Sequence, residues 1–188
     1  MEPRAGTVVI GIGNEFRRDD GVGWAVVALL RERAALRPPS RGTVLAQSDG
    51  DPGRLIGLWE DTALTVVVDA CFPPSARPGR THRWAADPDG YLRSAAAGRQ
   101  STHGLGLAEA LRLARCLGRM PERLVVYAVE GADGALGEGL TSAVAAAVPL
   151  LARRVEEDVT AFLRVARRVE DDVRGTRRTA FRGRRPPD

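Results

Sequence analysis

The chain has 188 residues and a mass of 20.2 kDa, room for one core and not for two. Its 44% hydrophobic and 28% charged content is that of a soluble globular chain, and no stretch approaches the ~18–20 consecutive apolar residues of a membrane span. All 28 basic residues are arginine, which excludes a Walker A lysine, a Schiff-base lysine and a kinase-type phosphate lysine.

Two histidines, His82 and His103, and two cysteines, Cys71 and Cys116, are too few for a His-rich or four-thiolate zinc site. They are also too few for a disulfide framework. Any metal is therefore held mostly by carboxylates. The opening MEPRAGTVVIGIG has an acid at position 2 and an apolar run too short for a signal peptide. A cytoplasmic location with both thiols reduced is expected. From Arg174 onward six arginines face one acid, Asp188; subtracting that +5 from the total of +4 leaves −1 for residues 1–173. Residues 1–173 read as one α/β domain and residues 174–188 as a disordered Arg-rich tail. The body has no electrostatic case for nucleic acid. A monomer without membrane association is expected.

Along the chain, the β-branched run Thr7–Ile12 predicts a buried strand. Val22, Val26, Leu29 and Leu30 give the spacing of a helix over Gly21–Leu36, which Pro38-Pro39 ends. Thr43–Gln47 predicts a short strand. Asp51 as N-cap and Pro52 at the first helical position open a helix to about Asp61. Leu64–Ala70 (LTVVVDA) is apolar throughout, so it needs cover on both faces. Arg80–Trp84 suits an edge strand within a segment dominated by Pro and Gly. A helix follows over Gly104–Leu117, then a buried strand over Leu124–Val129. Thr141 or Ser142 caps a last helix in which Pro149 is a place for a kink. Val155, Val159, Phe162, Val169 and Val173 form a stripe suited to docking on the chain's own domain. Strands alternating with helices predict a three-layer α/β/α domain with a mostly parallel sheet.

In such sheets ligands lie beyond the carboxyl ends of the strands, so the residues there carry the chemistry. After the first strand comes GIGNEFRRDDGVG. A dinucleotide loop would need glycine at Phe16 and would not tolerate Asp19 and Asp20 beside a pyrophosphate. Acids at a helix start also cap amides and favour the macrodipole; that accounts for one of the pair. Asp69 ends the third strand, where a carboxylate must be paired, hydrogen-bonded or metal-bound. Cys71 shares its face and reads as a small buried residue. In Ser101-Thr102-His103-Gly104 the hydroxyl caps the helix and its dipole keeps the His103 ring neutral and able to coordinate. His82 reads as an ordinary residue of the edge segment. Topology brings Asp20, Asp69 and His103 to one rim, two oxygens and a nitrogen with open positions. No G-x-S-x-G nucleophile elbow occurs.

These residues resemble the hydrogenase maturation endopeptidases, which clip the C-terminal extension from the large subunit of nickel–iron hydrogenases. The resemblance spans about Val8 to Val159. It rests on GIGNEFRRDDGVG, on VVVDA and on S-x-H-G-L-G-L-x-E-A-L around His103. Fainter matches are Ser48-Asp49-Gly50, Pro78-Gly79 and the segment from Gly139 to Val144. It implies a five-stranded sheet flanked by helices, phosphorylase/hydrolase-like, with Asp20, Asp69 and His103 as the catalytic and nickel-contacting set. It further implies a nickel ion supplied by the immature large subunit, the partner of the reaction. Where many members carry Glu, this chain has the shorter Asp20, and Phe72-Pro73-Pro74 departs from the acidic or small residues often found after the Asp-Ala pair.

Two routes to cleavage remain open at the level of sequence: the metal polarises a carbonyl or water, or an aspartate, Asp69 foremost, acts as base toward the attacking water. So does a second function, a non-proteolytic accessory that inspects nickel insertion.

Overall fold

A computed structural model describes residues 6–36, 42–86 and 105–182. Its strands are β1 (Thr7–Ile12), β2 (Thr43–Ser48), β3 (Leu64–Cys71), β4 (Thr81–Ala86) and β5 (Leu124–Glu130). The helices are α1 (Val22–Leu36), preceded by a 3-10 turn over Arg18–Gly21, α2 (Pro52–Trp59), α3 (Leu105–Leu117) and α4 (Ser142–Arg182). The expected strands and helices appear with ends shifted by a residue or two, apart from the end of α4. At α2 the expected cap is present: the Asp51 side chain accepts from the Arg54 amide at 2.8 Å, with Pro52 in the first turn.

One sheet runs in the order β2-β1-β3-β5-β4, parallel except for β4, which pairs antiparallel at the edge. β1 and β3 are buried along their whole length, as continuous β-branched runs require in a sheet covered on both faces. Alternate residues feed two cores. Val9, Val66, Val68, Tyr127 and Val129 pack under α1 and α4. Val8, Ile10, Val67, Leu124 and Val126 pack under α2 and α3. These are the three layers predicted from the alternation of elements. β4 is also tied to α4 through Asp158, which takes two hydrogen bonds from the Arg83 guanidinium (2.9 and 2.8 Å) and one from the Tyr127 hydroxyl (2.6 Å).

α4 runs unbroken through Pro149 for 41 residues, a length of about 60 Å. Val155 and Val159 are buried, and Phe162 and Leu163 pack against the core. The docking stripe stops there, because Val169 is 57% exposed, contrary to its expected place in the docked face. The helical backbone continues to Arg182, into the Arg-rich segment whose composition predicts disorder.

Candidate active site

The strand order reverses between β1 and β3: β2 lies beyond β1 on one side, β5 and β4 beyond β3 on the other. At such a switch point the connections leave in opposite directions and open a crevice at the carboxyl ends. The turn after β1 and the last residues of β3 flank it.

The glycines of the β1 turn serve close packing. A Cβ on Gly23 would sit 2.3 Å from the Ile12 carbonyl oxygen and 2.5 Å from that of Val68, so only glycine lets α1 start against both strand ends. Gly13, at φ +148°, would bring a Cβ within 1.9 Å of the Asp20 carbonyl oxygen. The turn is folded back on itself, which is why it resembles a dinucleotide loop without being open to a phosphate.

Asp19 and Asp20 divide the two roles that an acidic pair at a helix start suggests. Asp19 is wholly buried and structural. Its carboxylate accepts from the amides of Ala132 (2.8 Å), Asp133 (3.1 Å) and Thr141 (2.7 Å) and from the Thr141 hydroxyl (2.9 Å). Burial pushes its pKa up, but these donors outweigh it and hold the group below the ordinary carboxylate value. The loop between β5 and α4 is thereby fastened to the β1 turn.

Asp20 is 7% and Asp69 6% exposed, so both are nearly buried at the crevice. Burial pushes the Asp69 carboxyl up to about 8; the Ala70 amide, donating to Oδ1 at 2.9 Å, offsets part of this, and the charge of Asp20 adds to it. The structure thus brings together two of the three expected residues. The third, His103, lies outside the described residues, as do Ser101 and Thr102. Among the described residues no three His, Cys, Asp or Glu side chains group as a metal site.

Cys71 is buried, as expected for a packing residue. His82 is more than an ordinary edge residue: its Nε2 lies 2.6 Å from Oε1 of Glu130 at the end of β5. Glu130 is 4% exposed and also accepts from the Arg77 amide. Burial raises its pKa, but the Arg77 amide and His82, with the Arg80 charge, bring it below the usual value. The pair pins the Phe72–Arg80 connection at the same rim. Glu130 ends β5, whereas β3 runs two residues past Asp69 to Cys71; an acid after an apolar run is the signal that both give in the sequence. Phe72, where the chain departs from the usual pattern, lies over Gly131 and Gly134; a Cβ at Gly131 would come 2.4 Å from its ring.

Residues 47–158 match the family model described as hydrogenase maturation protease (HycI), more than half of the chain. The chain belongs to the hydrogenase maturation protease family. Its activity is the proteolytic processing of a hydrogenase large-subunit precursor. The fold is similar to that of the [NiFe] hydrogenase maturation protease HybD from Thermococcus kodakarensis, at 20% identity and TM-score 0.65, covering 82% of this chain and 99% of that one. The hydrogenase maturating endopeptidase HybD from Escherichia coli is 24% identical with TM-score 0.63, over 86% and 93% of the two chains. The HycI protease from Thermococcus kodakarensis KOD1 is 23% identical with TM-score 0.57, over 83% and 93%. No curated protein sequence matches the chain.

Proposed function

We propose that this maturation protease removes the C-terminal extension of a nickel–iron hydrogenase large subunit once nickel is in place, reading the substrate's own metal with Asp20, Asp69 and His103. The observation that carries this reading is the convergence of Asp20 and Asp69 at the β1/β3 switch point, with Asp69 held far from its ordinary proton affinity. The Asp69 carboxylate, desolvated within reach of the charge of Asp20, is relieved by a proton or a cation. An oxygen-rich set with one imidazole binds a free divalent ion weakly. Such a set suits recognising a metal already seated in the precursor rather than extracting it. A role for His103 is supported by the helix start three residues further on, where a Cβ on Gly106 would come 2.8 Å from the Gly50 carbonyl oxygen beyond β2. The start of α3 therefore reaches the carboxyl-end rim.

When the precursor is docked, the substrate's nickel would supply polarisation of the scissile carbonyl or of the water. Asp69 takes a proton from the attacking water as its oxygen bonds to the scissile carbonyl carbon. The same proton passes to the leaving amide nitrogen as the C–N bond breaks, so the carboxylate is restored. Asp20 would contact the substrate's nickel, and its charge keeps Asp69 basic. The protein acts in the cytoplasm; no helix among the described residues is long and apolar enough to cross a membrane. The test is incubation with nickel-loaded and nickel-free precursor followed by intact-mass measurement. Mass loss with nickel alone is expected. Complex formation without mass loss would replace the peptidase with an accessory that inspects the nickel site.

A further inference from the structure

Two large apolar side chains stand in water beside the crevice. Phe16, in the β1 turn, is 57% exposed and Leu136, in the loop between β5 and α4, is 81% exposed; neither belongs to a core cluster. They are neighbours. Arg17 pairs in parallel with Gly137. The Gly137 amide donates to the Phe16 carbonyl and the Arg18 amide to the Gly137 carbonyl, both at 2.9 Å. This short ladder sets Phe16 abreast of Leu136.

The lip that bears them is rigid. Asp19 clamps the two loops with four hydrogen bonds from the Ala132, Asp133 and Thr141 donors. The Arg17 guanidinium donates to the Gly134 carbonyl at 3.1 Å, and Arg18 Nε lies 3.1 Å from Asp133. Arg18 holds φ at 45°, a left-handed conformation that costs about 1–3 kcal/mol in a non-glycine residue and persists only where its surroundings over-determine it. The bonds that fasten the two loops also fix where the two exposed side chains stand.

We infer that Phe16 and Leu136 form a docking lip that inserts into an apolar hollow of the large-subunit precursor beside its scissile segment. Two neighbouring exposed apolar side chains suit a pocket on a macromolecular surface, where a preordered aromatic anchor binds with little entropic loss. The lip is continuous with the crevice: Phe16 precedes Asp20 by four residues, and Thr141, five residues beyond Leu136, is bonded to Asp19. Seating the lip therefore brings the precursor over Asp20 and Asp69. The inference rests on the active-site reading above, and binding is measured apart from cleavage.

The experiment compares Phe16→Ser/Leu136→Ser with Phe16→Trp/Leu136→Met, each in an Asp69→Asn background for equilibrium binding to nickel-loaded precursor and in the active background for kinetics. The serine pair is expected to raise Kd and KM about tenfold or more, with kcat within about twofold and an unchanged melting temperature, while the apolar pair retains affinity. Unchanged Kd and KM in the serine pair would overturn the inference. So would sedimentation showing a dimer of this chain that the serine pair dissolves, which assigns the lip to a second copy. If Asp69→Asn still cleaves at full rate, the active-site reading fails, and KM still judges the lip.

Discussion

Asp20, in the turn after β1, lies close enough to Asp69 at the end of β3 for its charge to add to the burial that raises Asp69's proton affinity. The two come from segments some fifty residues apart and meet only because the strand order reverses between β1 and β3. Asp19, one residue earlier, is turned into the protein and saturated by the β5–α4 loop. An acid saturated by the β5–α4 loop and an acid whose charge reaches Asp69 thus share one short turn.

The folded pKa of Asp69, about 8, exceeds the unfolded value of about 3.9, so the folded state binds the proton more tightly. The ionised carboxylate then destabilises the metal-free protein in a window that opens above pH ~4 and is complete above pH ~8. Asp69→Asn is expected to match wild type in melting temperature near pH 4 and to exceed it by several degrees at pH 8 in chelator. Thermal denaturation across that range checks this; a difference independent of pH would contradict it.

Asp19 has the opposite sign. Its folded pKa lies below the ordinary value, so its stabilisation is present above pH ~4 and is lost as the pH falls through the folded value. Asp19→Ala leaves three amides and a hydroxyl without their acceptor. A loss of about 2–4 kcal/mol is expected, seen as a fall in melting temperature on the order of 10 °C.

The glycines make a paired test. Gly23→Ala places a methyl 2.3 Å from the Ile12 carbonyl oxygen, so the helix start must move and folding or stability should suffer severely. Gly57, in α2, has nothing within 4 Å of an added Cβ, and Gly57→Ala should stabilise by about 0.5–1 kcal/mol. Denaturant midpoints of the two variants decide between a packing role and mere turn preference.

Much of this was legible in the residues. The apolar runs at Thr7–Ile12 and Leu64–Ala70 mark central strands, and Asp69 near the end of the second marks a carboxylate in need of a partner. Sequence could not say which of Asp19 and Asp20 was structural, because that depends on Ala132, Asp133 and Thr141, more than a hundred residues away. The pairing of His82 with Glu130 was hidden for the same reason: a strand register fixes it, not a local spacing. The helical stripe gives a face without saying where the underlying sheet ends, so the spacing assigns Val169 to the docked face while the residue stands in solvent.

We propose that Asp20 and Asp69 act together on a metal-bearing precursor. This is tested most directly by the intact mass of nickel-loaded precursor after single-turnover incubation with wild type, Asp20→Asn and Asp69→Asn, each shown to be folded by circular dichroism. The expected result is loss of the C-terminal segment with wild type and unprocessed precursor with both variants. Processing at the wild-type rate by either variant would remove that residue from the chemistry and contradict the account.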